Sequence, residues 1–122
     1  MKILIVDDYR ESRWALKRLL EDSGHEVLTA EGKDQALGLI RQPANLVKWQ
    51  VELVITDLDM GKKIDGLDLL KEADPKSLTS KFWLISSGMT KEIAAEAKRL
   101  GANLAMARSG LLDKLRTEKI IS

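Results

Sequence analysis

Five short apolar runs separated by helical patterns constrain this chain more than any other feature. Ile3 to Val6, Val27 to Thr29, Leu53 to Thr56, Phe82 to Ile85 and a weaker run from Leu104 to Ala107 have the length of strands, and most are rich in β-branched residues. Between them the apolar residues recur with helical spacing. In the first helix Ser12, Ala15, Leu16, Leu19, Leu20 and Ser23 share a face, with Gly24 as the stop. Ala36, Leu37 and Ile40 mark the second, Leu67 and Leu70 the third, and Ile93, Ala94, Ala97 and Leu100, closed by Gly101, the fourth. A last helix begins near Gly110 and uses Leu111, Leu112 and Leu115. A strand that returns parallel to its predecessor needs a crossover helix packed on the sheet, so this order predicts a doubly wound α/β fold, a parallel sheet of five strands with five helices. The stretch from Gln42 to Gln50, with Pro43, Asn45 and Trp49, reads as a surface loop or extra turn.

A length of 122 residues suits one domain, residues 1–122. With 20 Lys and Arg against 19 Asp and Glu there is no global field to draw the chain to nucleic acid or an anionic membrane. The absence of cysteine removes thiolate nucleophiles and sulfur-rich metal sites, and suits a reducing compartment. The opening MKILIVDD is too short and too acidic for a signal peptide, and no run is long enough to span a membrane, so the expected setting is the cytoplasm.

In a doubly wound sheet the functional site lies beyond the carboxyl ends of the strands. Asp7 and Asp8 follow the first strand and Asp57 ends the third, so three carboxylates are expected at one edge. Taken singly, an aspartate after a strand is turn or capping chemistry, the simpler account for Asp8. Taken together, three like charges repel and raise one another's pKa unless a cation intervenes. Oxygen ligands of this kind suit Mg²⁺, which keeps several waters and is often shared with phosphate oxygens. Asp57 could then act as a carboxylate nucleophile toward phosphorus. Ser86, ending the fourth strand, offers a hydroxyl at that edge, and Arg108, ending the fifth, a fixed positive charge.

Asp7-Asp8, Asp57 within Leu-Val-Ile-Thr-Asp-Leu-Asp-Met, Asp65-Gly66 before the third helix, Ser86 after Trp-Leu-Ile and Gly101-Ala102 before the last strand form an ordered set that resembles the response-regulator receiver domain. The resemblance covers essentially the whole chain and implies a flavodoxin-like fold. It implies that Asp57 accepts phosphate from a phosphohistidine on a sensor histidine kinase or histidine phosphotransfer protein. It further implies Mg²⁺ held by Asp7, Asp8, Asp57 and the backbone carbonyl of Asp59, and a Ser86 hydroxyl that turns toward the new phosphate. Signalling would then run through the surface of the domain to a downstream protein, with no direct contact to nucleic acid or membrane. Such a domain is a phosphoacceptor rather than an enzyme, although it can catalyse its own phosphorylation and dephosphorylation.

The chain departs from the family pattern at Arg108-Ser109, where Lys-Pro is usual, and at Ala105, which aligns with the switch aromatic. Met60 is followed by Gly61 rather than proline, and one extra residue precedes Asp65. Asp59 and Gly88, each two residues past a site residue, are expected to tune the phosphate's lifetime. Two other functions compete: a receiver-like docking module not switched by phosphate, and a phosphatase resembling the haloacid dehalogenases, with Asp57 as nucleophile and Asp59 as acid/base. His25 is expected at the surface without a role and Trp83 in the core, while Trp14 on the polar side of the first helix and Trp49 in the long loop mark either a partner surface or the packing of that loop onto the domain.

Overall fold

The computed structural model describes residues 1–41, 51–58, 65–75 and 80–122. The order is β1 (Lys2–Val6), α1 (Arg10–Asp22), β2 (Glu26–Ala30), α2 (Lys33–Ile40), β3 (Leu53–Asp57), α3 (Asp65–Ala73), β4 (Lys81–Ser86), α4 (Lys91–Arg99), β5 (Leu104–Ala107) and α5 (Leu111–Thr117). The strands form one parallel sheet in the order β2-β1-β3-β4-β5. The flavodoxin-like doubly wound fold expected from the alternation is therefore the fold observed. Lys2, Glu26, Lys81 and Ser86 extend the strands beyond their apolar runs because ladder hydrogen bonds continue past the hydrophobic stretch.

Successive residues of each strand point to opposite faces, which divides the core in two. Leu4, Val6, Val54, Phe82 and Leu84 pack with Ala36 and Leu37 of α2, Leu69 and Leu70 of α3 and Ala97 of α4. Ile3, Ile5, Leu53, Ile55, Trp83 and Ile85 pack on the other side with Leu20 of α1 and Leu111 and Leu115 of α5. Trp83 thus lies in the core as expected.

Not every residue on an expected helix face is buried. Ala15 and Ser23 are exposed, since only Leu16, Leu19 and Leu20 of α1 reach the core. Leu112 is 45% exposed, because Leu111 and Leu115, four apart, define the inward face of the short α5 and leave Leu112 rotated off it. Asp65 and Gly66 do not precede the third helix but begin it. Gly24 and Gly101 both have positive φ, 92° and 110°, the left-handed stop that ends α1 and α4 as the sequence predicts.

His25 is half-buried rather than a bystander at the surface. Its Nε2 lies 2.6 Å from the carbonyl oxygen of Ile120, tying the entry to β2 to the chain's last residues, where Ile120 and Ile121 are buried against the core. Gln42 to Gln50, with Trp49, and the Met60-Gly61 segment lie outside the described residues. Among the described residues no helix is long and apolar enough to cross a membrane.

Candidate functional site

The acidic residues converge because β1 and β3 are neighbours in register, with Val6 opposite Thr56, so the residues that follow leave the sheet side by side. One carboxylate oxygen from each of Asp7, Asp8 and Asp57 lies within 4.8 Å of the others. Asp7 and Asp57 are buried, at 4% and 8% exposure, whereas Asp8 is exposed. Among the described residues this is the one group of three or more carboxylates and imidazoles close enough to share a cation.

Each acid is fixed by its strand end. Asp7 extends the ladder by donating its N–H to the Ala30 carbonyl, 3.1 Å, and its Oδ1 accepts the Tyr9 N–H at 2.9 Å. That bond turns the chain into α1, so Asp7 rather than Asp8 carries the turn chemistry. Arg13, on the first turns of α1, donates from Nη1 to the Asp7 carbonyl at 2.8 Å and reaches Glu31 with Nη2 at 3.4 Å. In the sequence Arg13 reads as one more cation on a helix, and its spacing of six from Asp7 carries no recognisable signal.

Around Asp57 the backbone is tightly held. The hydroxyl of buried Thr56 donates to the Asp57 carbonyl at 3.1 Å, and the Leu58 N–H donates to the Ile85 carbonyl at 2.9 Å. The Gly66 N–H returns to the Leu58 carbonyl at 3.0 Å, clipping the start of α3 onto the end of β3. A Cβ at Gly66 would stand 2.5 Å from the Asp57 carbonyl oxygen and 2.7 Å from the Leu58 Cα, so only glycine permits this approach.

Ser86 ends β4 one residue past Ile85, the register partner of Asp57, and is fully buried. Its Oγ accepts the Gly88 N–H at 3.0 Å, which leaves the hydroxyl proton to serve another acceptor. Arg108 starts a short 3₁₀ turn directly after β5, instead of ending the strand. Its Nη2 lies 2.9 Å from Asp57 Oδ2 and its Nη1 3.5 Å from Asp7 Oδ2. The structure therefore brings Asp7, Asp8, Asp57 and Arg108 together with Ser86 at the same sheet edge. Asp59 and the side chain of Asp65 lie outside the described residues.

The sequence profile of the response regulator receiver domain matches residues 3–118. The sensory/regulatory protein RpfC of Xanthomonas campestris is 30% identical over 119 residues, which are 94% of this chain and 15% of RpfC. The chain thus spans under a sixth of that relative's length. Chemotaxis protein CheY-3 of Vibrio cholerae is 37% identical over 105 residues, covering 84% of this chain and 76% of CheY-3. In fold, the chain is similar to a response regulator from Burkholderia pseudomallei crystallised with a phosphorylated aspartic acid, a calcium ion and citrate. That likeness has a TM-score of 0.77 at 22% identity and covers 97% of this chain and 72% of the other.

Proposed function

This chain belongs to the response-regulator receiver domain family of two-component signalling, and from that premise we propose that it is a phosphoacceptor that carries its phosphoryl group on Asp57. The donor is a phosphohistidine on a sensor histidine kinase or a histidine phosphotransfer protein, the exchange takes place in the cytoplasm, and residues 1–122 act as one receiver domain. The observation that carries this reading is the meeting of Asp7, Asp8 and Asp57 within 4.8 Å at the carboxyl edge of the sheet, with Arg108 against two of them.

Three carboxylates of which two are buried fit a hard cation with oxygen ligands, so Asp7, Asp8 and Asp57 would hold Mg²⁺. The backbone carbonyl of Asp59, assigned as a further ligand by the resemblance, lies outside the described residues. When bound, the cation neutralises charge on the transferring phosphoryl oxygens. The remaining work falls to the chain's own residues. A carboxylate oxygen of Asp57 forms the new O–P bond as the P–N bond of the phosphohistidine breaks, and the electron pair stays on the imidazole nitrogen, which takes up a proton. Positioning and charge neutralisation supply most of the acceleration in such a transfer. The backbone bonds at Thr56, Leu58 and Gly66 fix the nucleophile, the Ser86 hydroxyl donates to one phosphoryl oxygen, and the Arg108 guanidinium pairs with another. About two added negative charges then bias the surrounding surface toward a downstream protein.

The two competing readings gain no comparable support. A phosphatase of the haloacid-dehalogenase kind carries its motif on the first strand, whereas Asp57 ends the third strand in chain order. An unswitched docking module would draw on the departures from the family pattern at Arg108, Ser109 and Ala105, yet Arg108 directs its charge into the acidic pocket.

The test is incubation with Mg²⁺ and a small phosphodonor, followed by intact mass and released phosphate. One phosphoryl group per chain, absent from Asp57→Asn, is expected. Rapid turnover of phosphomonoesters would instead support the phosphatase, and no adduct with any donor the docking module.

A further inference from the structure

Trp83 of β4 is only 6% exposed, yet its indole N–H meets no acceptor among the described residues. A buried indole N–H ordinarily finds a partner. Among those residues the one sealed polar side-chain atom without a partner is His25 Nδ1, so the Trp83 N–H keeps an opening. The surface that Trp83 leaves open borders two cavities toward the amino edge of the sheet, away from Asp57. They exist because α5 is short. Its seven residues rise about 10 Å, whereas the six residues of β4 span about 20 Å. Beyond α5 the chain turns at Lys119, φ 59°, and only Ile120 and Ile121 return to the core.

The larger cavity, about 440 Å³, is walled by Val51, Leu53, Trp83 and Ile120, a size within the range of small-molecule pockets. The smaller, about 170 Å³, shares Lys81, Trp83 and Glu118 with it and adds Asn103 and Lys114. Glu118 is already paired with Lys114 at 3.0 Å. Asn103 Oδ1 accepts the Phe82 N–H at 2.8 Å, which leaves the amide NH₂ as a donor. Lys81 is exposed and forms no ion pair among the described residues. Glu52, also exposed, lines the larger cavity but not the smaller. The unpaired polar groups of the smaller cavity are therefore donors: an indole N–H, an amide and an ammonium.

We propose that the two cavities form one binding site for a small planar apolar carboxylate. The apolar body lies against Val51, Leu53 and Ile120, and the carboxylate accepts from the Trp83 N–H and pairs with Lys81. Burial of the body supplies the attraction. The donors select the anion, because a neutral or cationic head would leave the indole N–H unmatched.

Proton–nitrogen correlation NMR of the full chain tests the site, with cinnamate as the probe and cinnamyl alcohol and cinnamylamine as its neutral and cationic counterparts. Millimolar cinnamate is expected to shift the Trp83 indole resonance saturably and to bind more tightly than either counterpart. Lys81→Met, at an exposed position, should weaken cinnamate about threefold and leave cinnamyl alcohol unchanged. A Trp83 resonance that does not move overturns the site, as does one that moves no more than that of exposed Trp14. Binding of the alcohol or the amine as tight as that of cinnamate overturns the assignment of a carboxylate, and so does a Lys81→Met protein that binds cinnamate as wild type does.

Discussion

Gly66 stands so close to Asp57 that a Cβ would lie 2.5 Å from the Asp57 carbonyl oxygen. The same Cβ would meet the Leu58 Cα at 2.7 Å and a methyl of Leu84 at 2.9 Å, and two of these three neighbours are backbone. In an open helix Gly→Ala gains about 1 kcal/mol. Here overpacking of ~1–3 kcal/mol or more opposes that gain. With two of the clashes against backbone the cost falls at the upper end, so Gly66→Ala should lower the urea midpoint, with a net loss of about 2 kcal/mol, and slow phosphorylation by displacing the Asp57 backbone. A variant as stable as wild type would contradict the packing described.

Arg13 holds the Asp7 carbonyl from 2.8 Å, with a side chain only 14% exposed. Removing a charged donor from a largely buried acceptor costs about 1.5–3 kcal/mol. Arg13→Ala should show that loss in denaturant unfolding with an unchanged slope. It should also weaken Mg²⁺ binding, because Asp7 loses the anchor of its backbone.

Gly88 faces open space, its nearest neighbour being Ser86 Oγ at 4.0 Å from a Cβ. Its N–H, the group that holds the Ser86 hydroxyl, survives substitution. Gly88→Ala should leave stability within about 0.5 kcal/mol and lengthen the aspartyl-phosphate lifetime severalfold by narrowing water's approach. Phosphate release followed after removal of the donor gives the answer, and an unchanged lifetime would take Gly88 out of the account.

On α4 the Glu96 carboxylate accepts from Arg99 at 2.9 Å, and this bond with the nearby positive charge holds it below its ordinary value of 4.5. A carboxylate lowered in the folded state adds stability that is complete above its unfolded value and is lost as pH falls through the folded one. Glu96→Gln should flatten the acid side of the stability curve slightly. Side-chain carboxyl NMR should find Glu96 titrating below its ordinary value of 4.5, and high salt should move it back toward that value.

The fold was legible because its signal is local. Ile3 to Val6 or Leu53 to Thr56 declares a buried strand by composition alone, and the helices between them force the parallel order. The ends of those strands then located Asp7, Asp8, Asp57 and Ser86, since topology carries residues at strand termini to one edge. What stayed hidden depends on distant partners. Nothing near His25 announces the Ile120 carbonyl 95 residues away, and nothing near Gly66 announces how close α3 comes to β3. Leu112 misled for a related reason, as a short helix at the sheet's margin has less core to cover than its leucines suggest.

Arg108 directly follows β5, which lies at the margin of the sheet and is paired on one side only. The β5 axis stands two strand spacings from that of β3, about 10 Å, a gap that the long Arg108 side chain bridges to reach Asp57. Displacing β5 outward by about 1 Å would carry the 2.9 Å contact past hydrogen-bonding range. The charge balance at the centre of the domain is therefore adjustable from its rim: whatever grips or releases the unpaired border of β5 also sets how firmly the acids are held.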